Sequence, residues 1–302
     1  MRRIVWLTGM ACGVCLLSPG AYGWGPATHL YVASRIVGTN MLDTLYGAMA
    51  PDMCALEMNP AIKSPFQHMT HFEYDRLAPG FFSFGFATHN GTWGADHYVH
   101  TYWDPVPEET YLILIMRQLC QEFGFTMSDA ESLMEGTVEY MLRKDLGPGL
   151  GTLVTSSANA FGEAQTQQLV DGFAEPLSQR VAGLTPAQAE TEIRNMANGF
   201  QTVMSAYGQQ LAGWDDAALR AFLITGIAAA LSTDEVTADL YVTRAEELAW
   251  DYQDELDVMA GRVAARIAAT EYRLPLSFNG LVVEAVVIGI AFLTLRRRWL
   301  RI

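Results

Sequence analysis

The chain has 302 residues, 50% apolar and 17% charged. That is long enough for one large domain with a substantial core, and it excludes a disordered or collagen-like chain. Acidic residues outnumber basic ones 33 to 19, a net charge of −14, and four cysteines in this length exclude a disulfide-dense scaffold.

In chain order, the first element reads as a leader. Arg2 and Arg3 precede an apolar run from Ile4 to Leu17, then Ser18-Pro19-Gly20 and the small-x-small triplet Ala21-Tyr22-Gly23. That order is expected of a secretory signal peptide, 1–23, cleaved after Gly23; an uncleaved anchor is the alternative. The body predicts an all-α, multi-helix bundle. Helices are expected near 26–38, 106–123, 129–145, 155–180, 186–212, 215–231 and 234–270. Three segments have capping-box form: Ser128-Asp129-Ala130-Glu131, Thr185-Pro186-Ala187-Gln188 and Ser232-Thr233-Asp234-Glu235. The stretch Leu146-Gly147-Pro148-Gly149-Leu150-Gly151 marks either an internal boundary or a turn between two halves of one bundle.

The last element, Phe278 to Leu295, is apolar enough to cross a membrane as a helix of roughly 27 Å. Arg296, Arg297, Arg298 and Arg301 come next, so the expected topology leaves a basic cytoplasmic tail and the main domain outside. A buried C-terminal core helix, favoured by Glu284, is the alternative. The expected organisation is therefore a signal peptide at 1–23, an exported helical domain at 24–275 and a transmembrane anchor with tail at 276–302. Without six terminal arginines and Glu284, the exported domain has 13 basic and 32 acidic residues, a net charge of −19. It has no basic stripe to track a phosphate backbone, which disfavours nucleic acid as a partner.

All six histidines, His29, His68, His71, His89, His97 and His100, lie in the first third of the chain. Clustering of the commonest metal ligand in an exported acidic domain points to a metal site. His89, Asp96 and His100 are spaced by seven and four residues, which puts them on one face if the segment is a single helix. A carboxylate such as Asp96 can bridge two cations, whereas an imidazole has one lone pair to give. His71 sits among aromatics in Thr70-His71-Phe72-Glu73-Tyr74, and Asp52 comes after Pro51 at a turn.

After cleavage the chain would begin Trp24-Gly25-Pro26-Ala27-Thr28-His29. A mature N-terminal Trp followed closely by His resembles the zinc-dependent phospholipase C family and its relatives, the fungal-type zinc single-strand nucleases. The resemblance covers roughly residues 24 to 145. It implies an all-helical fold holding up to three zinc ions, with Trp24, His29, Asp52, His71, His89, Asp96 and His100 as ligands. Asp52 would also orient or deprotonate the attacking water. Trp24 would ligate through its free α-amine, which exists only after cleavage. The chain departs from the family in spacing, with His89-x6-Asp96-x3-His100 where His-x3-Asp-x5-His is usual. It also lacks the family's closing histidine, and Glu131 with Glu135 is the best replacement for that His-x3-acid pair. A site of His100 with two glutamates is harder than usual and would be expected to prefer Mn²⁺ or Fe²⁺ over zinc. Glu139, one turn further, is a substitute for either glutamate. With Ser128 as the helix cap, Glu131 could instead fold back on that cap.

Three functions are expected in turn. The first is a phospholipase C-like phosphodiester hydrolase acting on phospholipid or a small phosphodiester, held at the cell envelope by its anchor. The second is a nuclease or nucleotidase. The third is a non-catalytic envelope or binding protein with a degenerate metal site. Cys54 and Cys120, the cysteines outside the leader, are expected either to form one disulfide or to remain thiols.

Overall fold

The computed structural model describes residues 25–100 and 111–269, apart from the side chains of 99, 100 and 111. The expected leader 1–23, Trp24 and the expected anchor 276–302 lie outside the described residues. All regular structure among the described residues is helical, in agreement with the all-α expectation.

Helix α1 (Pro26–Val37) begins with proline at its first turn, where no N–H is needed, and stops at Gly38 with φ +85°. Helix α2 (Leu42–Met49) runs into a 3-10 turn, Ala50–Leu56. Helix α3 (Pro60–Phe72) is capped by Asn59, whose side chain accepts from the Ala61 N–H at 3.1 Å. Helix α4 (Phe81–His89) and the short α5 (His97–His100) complete this part. None of α2, α3 and α4 is among the helices expected from sequence. Helices α2 and α4 are short, all three are rich in glycine, proline or aromatics, and each is supported by tertiary packing more than by propensity.

Close packing of α2 on α4 fixes where α4 delivers its last residue, His89. A Cβ on Gly47 would fall 2.2 Å from the Phe82 carbonyl oxygen, and one on Gly85 would fall 1.9 Å from that of Thr44. The two backbones touch where both side chains are absent.

The remaining helices surround this layer. They are α6 (Tyr111–Phe123), α7 (Met127–Leu146), α8 (Gly149–Ala160), α9 (Glu163–Arg180), α10 (Pro186–Gly213), α11 (Asp216–Ala230), α12 (Glu235–Leu248) and α13 (Tyr252–Ala269). The α8 helix packs along α10, α9 along α10, α11 and α12 pack on α7, and α13 returns to α1. One apolar core runs through both halves, from Leu30 and Phe66 to Met204 and Val263. The glycine-proline stretch after α7 is thus a turn within one bundle. No single helix among the described residues is long and apolar enough to cross a membrane.

Three local expectations need correction. The cap of α7 is Thr126 with Asp129, so Glu131 does not fold back on Ser128; it is buried instead. The cap of α12 is Asp234, which accepts from Val236 and Thr237 N–H groups, and Ser232 lies in the preceding turn at φ +52°. The helices expected at 155–180 and 234–270 are each two, broken at 161–162 and 249–251. Apolar spacing continues on both sides of each break, so periodicity alone conceals it. The Thr185–Gln188 cap of α10 forms as expected. Cys54 and Cys120 are both free thiols.

Candidate metal centre

The first hundred residues bring four elements to one point. Helix α1 carries His29, the 3-10 turn carries Asp52, α3 carries His71 and α4 ends on His89. Asp96 arrives from the segment after α4. His89, Asp96 and His100 do not lie on one helix, because Asn90 ends α4 and its Oδ1 accepts from the N–H groups of Thr92 and Trp93. The resulting loop folds back on itself. Ala95 donates to the Thr88 carbonyl and Asp96 to that of His89, both at 2.8 Å, while Gly91 donates to the His71 carbonyl at 2.7 Å. The loop thus ties α3, α4 and Asp96 together. Glycine at 91 leaves room for its neighbours: a Cβ there would lie 2.8 Å from the Phe72 ring and 3.2 Å from Asp96 Oδ2, so those side chains would have to shift.

Two overlapping groups of donor atoms result: His29, His89 and Asp96, and Asp52, His71 and His89. Within each, no two donor atoms are more than 4.8 Å apart. The histidine rings nest closely. His29 stacks on His89 with centroids 3.8 Å apart, and His71 meets His89 edge-on at 4.9 Å.

Hydrogen bonding fixes the tautomers. Nδ1 of His89 faces the Ala48 carbonyl oxygen at 2.9 Å, and Nδ1 of His71 faces that of Gln67 at 2.9 Å. A carbonyl only accepts, so each Nδ1 is assigned the proton, with Thr70 Oγ1 also 2.9 Å from that of His71, and in the neutral ring each Nε2 then has a lone pair. Both Nε2 atoms are buried with no hydrogen-bond partner. They lie 3.5 Å (His71) and 3.6 Å (His89) from Asp52 Oδ1. Buried lone pairs without donors are costly, and a divalent cation held between them and Asp52 would offset that cost. A tetrahedral ion with bonds of about 2.0–2.1 Å separates its ligand atoms by about 3.3 Å, close to these spacings.

No family model, curated protein or solved structure matches the chain.

The electrostatics agree with cation binding. Burial, with the neighbouring His29, pushes the His89 pKa down to about 3, so its lone pair is available at neutral pH. Burial pushes His71 down as well, but the carboxylates of Asp52 and Asp96 outweigh it and leave that pKa above the ordinary value. The ring that most attracts positive charge is thus the one facing both carboxylates. Asp52 is the most open member, with 18% of its side chain exposed against 3% for His71 and none for His89.

The remaining expected ligands lie outside the two donor groups or outside the described residues. Trp24 lies outside the described residues, as does the side chain of His100, whose backbone closes α5. Glu131 and Glu135 are buried on one face of α7, one turn apart, but neither joins the two donor groups among the described residues. Glu139, one turn beyond, reaches the start of α1. Its Oε1 accepts from the N–H groups of Ala27 and Thr28, and its Oε2 accepts from the Tyr207 hydroxyl. Burial pushes its pKa up to about 7 against the opposing pull of those hydrogen bonds. The structure also brings in groups without a sequence signal: the Ala48 and Gln67 carbonyls and Tyr207.

Proposed function

We propose that the chain is a metal-dependent phosphodiester hydrolase of the zinc-dependent phospholipase C type. The observation that carries this reading is the convergence of Asp52 Oδ1 with two buried Nε2 lone pairs, each imidazole held at Nδ1 by a backbone carbonyl. Imidazole and carboxylate donors at near-tetrahedral spacing are ordinary zinc ligands. His29 and Asp96 would supply donors for a neighbouring ion, and His89, common to both groups, has one lone pair to give to either. Zinc bound there supplies Lewis-acid polarisation of a phosphoryl oxygen and acidifies water. Asp52, the member most open to solvent, orients the attacking water and takes its proton on the carboxylate. His71 and His89 exclude solvent behind it.

The substrate class proposed is phospholipid or a small phosphodiester. The net charge of −19 on residues 24–275 counts against a long polyanion. The leader and the apolar C-terminal run support an exported, membrane-anchored protein with this domain outside the cytoplasm. A second reading, a non-catalytic envelope protein with a degenerate metal site, draws support from the lack of any histidine after His100 to complete the family's closing His-x3-acid pair.

Element analysis of the purified chain, with hydrolysis of a chromogenic phosphocholine ester compared with single-stranded DNA, tests the assignment. Bound zinc with ester hydrolysis supports the hydrolase. Bound metal without hydrolysis of either substrate favours the binding protein, and preferred cleavage of DNA favours the nuclease.

A further inference from the structure

We infer that Glu139 is the positioning residue for His29: its carboxylate caps α1 from across the bundle and fixes the rotation at which His29 stacks on His89. The inference rests on the metal-centre reading proposed above.

Helix α1 has no cap of its own, because Gly25 has no side chain to offer. Because Pro26 has no N–H, the first two N–H groups of the helix are those of Ala27 and Thr28, and both donate to one oxygen of a glutamate more than a hundred residues away. A carboxylate at a helix N-terminus is favoured by the exposed N–H groups and the helix dipole. Burying it is costly, and a serine at position 25 would cap the helix without that cost. What the remote carboxylate adds is orientation. Two adjacent N–H groups on one oxygen fix both the axial position and the angular phase of the first turn. The other oxygen is fixed by Tyr207 from α10, so the carboxylate cannot pivot.

That turn is the one carrying His29. Gly25 accepts from the N–H groups of Thr28 and His29 at 3.0 and 3.2 Å. Gly25 also lies directly against the capping group: a Cβ there would sit 2.2 Å from the Glu139 carboxyl carbon. Glycine at 25, glutamate at 139 and the stacked ring at 29 therefore form one mechanical unit. A small rotation of α1 would separate rings now 3.8 Å apart and inclined by 22°.

The test uses the full chain with Co²⁺ as probe, reading the binding isotherm and the visible d–d spectrum. Glu139→Ala is expected to weaken Co²⁺ binding about 10–100-fold, as loss of an orienting group does, and to alter the spectrum. Glu139→Gln keeps an oxygen that can accept from Ala27 and Thr28, and is expected to restore both readouts to near wild type. Gly25→Ala should weaken binding in the wild-type background and have little further effect beside Glu139→Ala, where space has been created. If Glu139→Ala does not fold, Tyr207→Phe, which removes only one hydroxyl, should show a smaller loss in the same direction.

An unchanged isotherm and spectrum in Glu139→Ala, or in Tyr207→Phe where that variant stands in, would overturn the inference. Loss of a whole ion in folded Glu139→Gln would also overturn it, by making Glu139 a ligand. A wild type that binds no Co²⁺ overturns the metal centre and the inference together. That result is distinguished from failure of the inference alone, in which wild type and variants bind alike.

Discussion

Nδ1 of His89 donates to the carbonyl oxygen of Ala48 at 2.9 Å. This contact between the end of α4 and the end of α2 exists because the two helices meet at Gly47 and Gly85 without side chains between them. Gly85→Ala would drive a methyl group into the Thr44 carbonyl, and backbone cannot yield as a flexible side chain can. The expected outcome is a loss of about 1–3 kcal/mol in urea unfolding, with reduced metal content because His89 loses its orienting carbonyl.

Asp96→Asn and His97→Ala form an informative pair. Asp96 belongs to a buried donor group with His29 and His89, whereas His97 belongs to neither donor group. Element analysis should show less metal per chain in Asp96→Asn and nearly wild-type content in His97→Ala. Circular dichroism should show both folded. Equal metal in the two variants would remove Asp96 from the site.

The metal-free protein, held in chelator, should show opposing pH limbs. The folded pKa of His89, about 3, lies below its ordinary 6.5, so its contribution is complete above 6.5 and is lost as pH falls toward 3. The folded pKa of Glu139, about 7, lies above its ordinary 4.5, so its contribution is complete below 4.5 and is lost as pH rises through 7. The raised His71 adds a second loss on the alkaline side. Glu139→Gln should abolish only the Glu139 limb, so its urea midpoint should rise relative to wild type between pH 4.5 and 7. Parallel profiles for the two proteins would contradict this assignment.

The caps offer a test of the fold alone. Thr126→Ala should cost about 1 kcal/mol, because its hydroxyl accepts from Asp129 N–H and its backbone N–H is held in return. Ser128→Ala, one residue into the helix, should change stability by less than about 0.5 kcal/mol. Urea midpoints of the two variants should separate accordingly.

The contrast between Ser128 and Thr126 shows where the sequence is legible. Both segments have capping form, and it is Thr126, paired with Asp129, that starts the helix. The chemistry of the site is legible for a different reason. Histidine and aspartate reveal themselves by type, so crowding in the first third of the chain is visible without coordinates. How they meet is not: Asn90, Gly91 and Gly94 turn an apparent helix face into a loop that reaches the same place. The carbonyls of Ala48 and Gln67 have no sequence signature, since every residue has one. Glu139 has a signature only as another acid on α7; its work depends on Gly25, which no local pattern connects to it.

The contacts that build the site also differ in how far they reach along the chain. The His89–Ala48 hydrogen bond joins residues 41 apart, whereas the hold of Glu139 on Ala27 joins residues 112 apart. Short loops close at lower entropic cost than long ones, and an emerging chain can form them before its later helices exist. Asp52, His71 and His89 can therefore gather while α7 is still being made, and His29 can be locked only once it has arrived. Chain order would thus let the Asp52–His71–His89 group form before the hold of Glu139 on the start of α1.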